Sequence, residues 1–166
     1  MILAVGHDVQ WHMIGHLQRD KAQESVQLFD MIETVDSLRL AVALDRYCTA
    51  VGKVMPVLVE INSGREARKT GVLPEDLDDL VQRLSELLSI QVQGLMTMGP
   101  RFGNPEDARP YFRATRIAFE HLASLNLPNV IMRTLSMGMS NSYLVAIEEG
   151  ANMVRIGSEI FGRPAN

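Results

Sequence analysis

Six times along 166 residues, a run of five to seven mostly apolar residues gives way to a polar or Gly-containing junction and then to a helical stretch. That rhythm constrains the fold more than any single motif. The candidate strands are 11–15, 31–35, 57–62, 92–98, 130–136 and 153–157. Several are too continuously apolar for a strand with one wet face, so they read as parallel strands covered on both sides. The stretches between them have helical spacing. In 74–88, Leu77, Leu80, Val81, Leu84, Leu87 and Leu88 form one stripe, with Pro74 at the tolerated first turn and Glu75 and Asp76 complementing the helix start. Asp36 or Ser37 can cap a helix over 38–51 that Gly52 ends. A helix over 105–125 carries Tyr111, Phe112, Phe119 and Leu122. Ser140 or Asn141 can cap a short helix ending at Gly150, and another over 20–28 follows the first strand.

Successive βα units imply an α/β fold with a parallel sheet, either doubly wound or of the TIM-barrel type. The Gly-x-Gly-x-x-Gly fingerprint expected early in a dinucleotide-binding domain is absent. A complete barrel has eight units and takes about 250 residues. Six units on barrel curvature leave the sheet unclosed, with two exposed edges that invite self-association. The expectation is one partial barrel domain over 1–166.

Composition narrows the function. Hydrophobic residues make up 46% and charged residues 22%, enough for a packed core. No apolar run approaches the roughly 20 residues of a membrane helix. Residues 1–5 are apolar but too short, and lack the basic flank, for a signal peptide. The single cysteine, Cys48, rules out an internal disulfide and fits a reducing cytoplasm, and one cysteine with four histidines argues against structural zinc. With 16 Lys and Arg against 20 Asp and Glu, a net charge of −4 and no basic tract, nucleic acid is a poor partner. A local anion site is compatible with that balance, because it depends on placement.

In parallel α/β folds ligands bind beyond the C-terminal ends of the strands, so the strand-to-helix junctions are the candidate sites. The fifth strand ends in Leu135-Ser136-Met137-Gly138-Met139-Ser140-Asn141-Ser142. Hydroxyls, free backbone N–H groups and the close approach allowed by Gly138 suit a phosphate there; a capped turn is the plainer alternative. The sixth strand ends in Arg155-Ile156-Gly157-Ser158-Glu159 and opens a short helical turn over 158–161. Arg155 lies inside an apolar strand, where a cation needs a partner: a ligand acceptor, or Glu60 in an ordinary salt bridge. In barrels the last two βα loops often build a phosphate site. Asn62 and Thr97 end the third and fourth strands. His12 reads as a packing residue and His16 as a cap. The loop over 63–72, with three cations, reads as solvated, with a lid or partner surface as the alternative. Met96, Met98, Met132, Met137, Met139 and Met153 read as core filler.

At these motifs the chain resembles a known family. Trp11-His12-Met13-Ile14-Gly15-His16-Leu17-Gln18 with Lys21, Glu60-Ile61-Asn62-Ser63-Gly64-Arg65-Glu66 with Lys69 and Gly71, and Gly94-Leu95-Met96-Thr97 are similar to segments of the YggS/PROSC family of pyridoxal phosphate homeostasis proteins. So are Leu135 to Ser140, Ala146 to Ala151, and Val154 to Ser158 with Ile160-Phe161-Gly162. The matches run in order over essentially the whole chain from Trp11. The last hydroxyl, commonly Thr in the family, is Ser158 here. The resemblance implies an alanine racemase N-terminal-type barrel, pyridoxal 5′-phosphate as small-molecule cofactor, a role in vitamin B6 homeostasis, and no established catalytic turnover. It places Ser136, Gly138, Met139, Ser140, Gly157 and Ser158 around the phosphate, and Arg155 by the phosphate or the pyridine nitrogen.

One departure matters. The family's Schiff-base lysine lies on a first strand that should precede Trp11, followed by a second strand before it. Met1 to Gln10 contain no lysine, and Lys21, Lys53 and Lys69 do not match that position. The two missing units are the two that the length count lacks. The expectation is a family member without its N-terminal part, binding the cofactor noncovalently through the phosphate. The alternatives are a fragment of a pyridoxal-phosphate-dependent racemase-type enzyme, or a product of a partial gene.

Overall fold

The computed structural model describes residues 8–99 and 103–162. The run 1–5 lies outside them. Six strands, β1 (His12–Met13), β2 (Met31–Val35), β3 (Met55–Glu60), β4 (Ile90–Met96), β5 (Val130–Met139) and β6 (Met153–Arg155), form one sheet in sequential order. All five neighbouring pairs are parallel. Sequential order is the barrel arrangement; a doubly wound sheet reverses direction from a central strand. The connecting helices are α1 (Ala22–Leu28), α2 (Leu38–Val51), α3 (Leu77–Leu84), α4 (Arg109–Ser124), α5 (Tyr143–Glu148) and α6 (Ser158–Phe161).

The two faces of the sheet bury different things. On β3, Met55, Val57 and Val59 join the main apolar core, together with Leu44, Leu84 and Phe112 from the helices. Leu58, one residue out of phase, instead joins a small cluster with Met31 and Met96 on the opposite, concave face. Four parallel strands laid flat would put β2 and β5 about 14 Å apart. Yet the Ser136 hydroxyl on β5 donates to Glu33 Oε2 on β2 at 2.6 Å. The sheet is therefore curled into a half-barrel, with β1 and β6 as its outer strands.

Two glycines permit close approaches. Gly94 has φ +148°, and a Cβ there would overlap the Thr134 carbonyl on β5. Gly138 has φ +92°, and a Cβ would lie 2.5 Å from the Ala146 Cβ on α5, so this residue lets the helix pack against its strand.

Several boundaries move from their expected places. The strand expected over 11–15 pairs only at His12–Met13, because Ile14, Gly15 and His16 are already exposed as the chain leaves the sheet. The β3 and β4 ladders each sit two residues earlier than expected, and β5 runs three residues further, to Met139. β6 stops at Arg155. The stripe over 74–88 divides into a 3-10 turn, Pro74–Asp76, and α3, which ends at Leu84. Leu88 lies beyond that end and is 84% exposed, so it is not part of the stripe. The helix over 105–125 likewise opens with a 3-10 turn, Pro105–Ala108, held by an Asn104–Asp107 capping box. Gly52 closes α2 in the left-handed conformation, as expected.

Candidate functional site

The C-terminal ends of the strands gather a polar cluster on and above the concave face. Glu33, at the middle of β2, is 2% exposed. Its Oε1 lies 2.8 Å from His12 Nδ1 and its Oε2 accepts from Ser136. Ser136 is fully buried, and its hydroxyl oxygen also receives Arg155 Nη1 at 2.6 Å. Arg155 Nη2 donates to the Thr97 carbonyl at 2.8 Å. One connected chain of groups thus runs from β1 through β2 and β5 to β6, with a branch to the end of β4.

The charges in this cluster shift one another. Burial by itself would raise the Glu33 carboxyl, but the hydrogen bonds to His12 and Ser136 and the charge of Arg155 outweigh it, so the carboxyl lies below its ordinary value. Burial lowers the Arg155 guanidinium, opposed by the charges of Glu33 and Glu60. Glu60, on the neighbouring strand, behaves oppositely. Burial raises it, and the hydrogen bond from Thr70 to its Oε1 at 2.7 Å offsets only part. Its Oε2 is buried with no hydrogen-bond partner. The alternative of an Arg155–Glu60 salt bridge is not what forms: the guanidinium is tethered to Ser136 and Thr97, which turn its donors towards β4 and β5.

The two terminal junctions meet. Met139 pairs with Arg155 across β5 and β6, and the Gly157 N–H points at Ser140 Oγ at 3.4 Å. The Met139 N–H points at Ser142 Oγ at 3.3 Å. Gly157 precedes α6, whose first N–H groups have no partner within the helix, and Ser158 is its first residue. A Cβ built on Gly157 would meet no atom within 4 Å, so the corner is open. Of the residues named from sequence, Ser140 and Gly157 meet at this corner, and Met139 and Ser158 adjoin them in the chain. Ser136 and Arg155 are bonded to each other in the Glu33 cluster, and Gly138 serves the packing of α5.

The other named positions have structural duties. Asn62 clasps the following loop, donating to the Glu66 carbonyl and accepting from the Glu66 N–H. The Thr97 hydroxyl donates to the Ile61 carbonyl at 3.0 Å. His12 is satisfied by Glu33, and His16 lies 3.7 Å from Asp36. The loop over 63–72 is not merely solvated. Its Lys69 reaches the Gly99 carbonyl at 3.0 Å and the Glu66 carboxylate, tying the loop to the end of β4. Sequence reading passed over Glu33. A lone carboxylate in a five-residue strand otherwise made of Met, Ile, Thr and Val was the available signal, since a buried charge demands partners.

The comparisons with known proteins bear on the family and the fold. The family described as alanine racemase, N-terminal domain, matches residues 2–164. The chain belongs to that family. Its curated relatives include pyridoxal phosphate homeostasis proteins of Aquifex aeolicus, 43% identical over 93% of this chain and 67% of the relative, and of Haemophilus influenzae, 34% identical over 95% and 66%. The chain thus spans about two thirds of the length of such relatives. Among solved structures, PipY of Synechococcus elongatus without pyridoxal phosphate is similar with a TM-score of 0.88 and 33% identity, covering 96% of this chain and 74% of PipY. PipY with pyridoxal phosphate bound gives 0.86 and 32% over the same shares. The alanine racemase of Clostridium difficile, at 17% identity and a TM-score of 0.78 over 99% of this chain and 42% of its own, shares the fold. Among the described residues no helix is long and apolar enough to cross a membrane.

Proposed function

We propose that this chain is a pyridoxal 5′-phosphate-binding member of the homeostasis group, holding the cofactor noncovalently through its phosphate. The observation that carries the reading is the meeting of the β5 and β6 junctions at Ser140 and Gly157. Ser140, Ser158 and the N–H groups opening α6 would hold the phosphate oxygens, with Met139 beside them. A dianion suits hydroxyl and amide donors at an open corner. Arg155 is held by Ser136 and Thr97, leaving its remaining N–H groups for the cofactor. Ser136 would act through Arg155, which it holds, and Gly138 by letting α5 pack against β5.

The cofactor's aldehyde chemistry depends on a lysine amine, and the three lysines of this chain have other placements. Lys53 donates to the Val26 and Phe29 carbonyls, Lys69 is paired with Glu66, and Lys21 ends the 3-10 turn before α1. We assign this barrel domain a carrier role without catalytic turnover, in the reducing cytoplasm. The outer strands β1 and β6, with Ile160 and Phe161 exposed beside β6, would drive self-association.

Titration with pyridoxal phosphate, followed by absorbance and by borohydride reduction with peptide mapping, tests the assignment. Saturable binding without a reducible adduct is expected, weakened about tenfold or more by Ser140→Ala with Ser158→Ala. A stoichiometric adduct at one lysine overturns noncovalent binding. Unchanged affinity in the double variant overturns the phosphate corner. Sedimentation velocity reads the self-association.

A further inference from the structure

The outer helical layer carries a cluster of cations apart from the β5–β6 corner. A groove of about 720 Å³ lies over the outer face of α2, bordered by the Arg19–Lys21 turn and α3. Four arginines line it: Arg19 from the turn, Arg39 and Arg46 from α2, and Arg83 from α3. They are four of the 16 basic residues in a chain whose net charge is −4. One carboxylate, Asp20, lines the groove with them.

The pairing of these arginines differs from that elsewhere. Arg65, Arg109, Arg113 and Arg116 each sit within 3.1 Å of a glutamate oxygen. In the groove, the side chains of Arg19 and Arg39 make no ion pair or hydrogen bond among the described residues. Arg83 is 3.7 Å from Asp79. Arg46 lies 4.6 Å from the centre of the Tyr47 ring and donates to its hydroxyl. A solvated helix face normally interleaves charges of both signs. Here like charges converge, Arg39 and Arg46 standing about 10 Å apart on one face of α2.

The groove also has an apolar floor. Leu38 and Ala43 are half-buried and Val42 is 48% exposed. Its volume is that of a small-molecule site rather than a bare surface ion site. Guanidinium forks match phosphate oxygens two at a time, the stacked Arg46–Tyr47 pair offers a flat surface to an aromatic ring, and Asp20 supplies an acceptor for a hydroxyl or amine. We propose that this groove binds a nucleoside polyphosphate, with the phosphates along Arg39, Arg46 and Arg83 and the nucleoside over the apolar floor.

The test uses a fluorescent methylanthraniloyl-ADP probe on the full chain, read by anisotropy. Saturable binding that weakens as salt rises is expected. Arg39→Ala with Arg46→Ala should cut affinity about tenfold or more, and Arg39→Lys with Arg46→Lys should retain part of it. Far-UV circular dichroism and the urea midpoint should stay unchanged, since both side chains are exposed. No saturable binding, or equal binding by the alanine double variant, overturns the proposal. Displacement of the probe by inorganic tripolyphosphate as effectively as by ADP removes the nucleoside from it. Stronger displacement by a glutamate-rich peptide reassigns the groove to an acidic polypeptide. Displacement by pyridoxal phosphate at concentrations that fill the β5–β6 corner shows that the probe reads that corner, and overturns a separate site.

Discussion

Glu33 and Glu60 stand on adjacent parallel strands, face the same concave surface and are almost equally buried, at 2% and 5% exposure. Their fates differ. Glu33 has a partner for each oxygen, His12 and Ser136, and feels Arg155; its carboxyl lies low. Glu60 has Thr70 on one oxygen and nothing on the other, and lies high. Burial alone therefore does not determine which way the pKa of an interior carboxylate moves. The number of donors aimed at it does, because each donor recovers part of the hydration lost.

The largest test of that contrast is Glu33→Ala. Removing the hub leaves His12, Ser136 and the Arg155 charge without their acceptor. The expected loss is about 3 kcal/mol of unfolding free energy in urea at neutral pH. A loss below about 1 kcal/mol would mean the cluster tolerates its removal and the comparison fails. Ser136→Ala comes next. It deletes the hydroxyl bridging Glu33 and Arg155, and should cost about 2 kcal/mol by the same measurement. A double-mutant cycle between Glu33→Gln and Ser136→Ala should show coupling well above additivity.

Acid should separate the two carboxylates. Glu33, low in the folded state, contributes stability above the ordinary glutamate value of 4.5, lost as pH falls through its folded value. Glu60, high in the folded state, has the opposite sign: stability is lost as pH rises from 4.5 through its raised value. Glu33→Gln should flatten the acid limb of a urea-midpoint profile, and Glu60→Gln the limb above 4.5. The smallest effect follows. At neutral pH Glu60→Gln should stabilise by about 1 kcal/mol, because the amide carries no charge to desolvate and keeps an acceptor for Thr70. Destabilisation instead would show that the Glu60 carboxylate has a donor in solution.

The architecture was largely legible in the chain. Apolar runs alternating with amphipathic stretches require buried parallel strands under helices, whatever their exact ends. The 31–35 strand and the 38–51 helix with its Gly52 stop appear as read. Boundaries drifted where apolar residues continue past an element, as at Leu88, or where a helix opens with a 3-10 turn, because periodicity does not mark those ends. The hydroxyl- and glycine-rich corners at Ser136–Ser140 and Gly157–Ser158 were also visible, since turn chemistry is local.

What the sequence by itself determined is thus the run of βα units and the two corners, both written in contacts between near neighbours. Tertiary structure alone decided that Arg155 is tethered to Ser136 and Thr97 rather than paired with Glu60, and that Glu33 is the hub. It also gathered Arg19, Arg39, Arg46 and Arg83 from three elements into one groove. Glu33 and Ser136 are 103 residues apart. Only the curl of the sheet brings them within a hydrogen bond, and curl is a property of strands packed together rather than of any one of them.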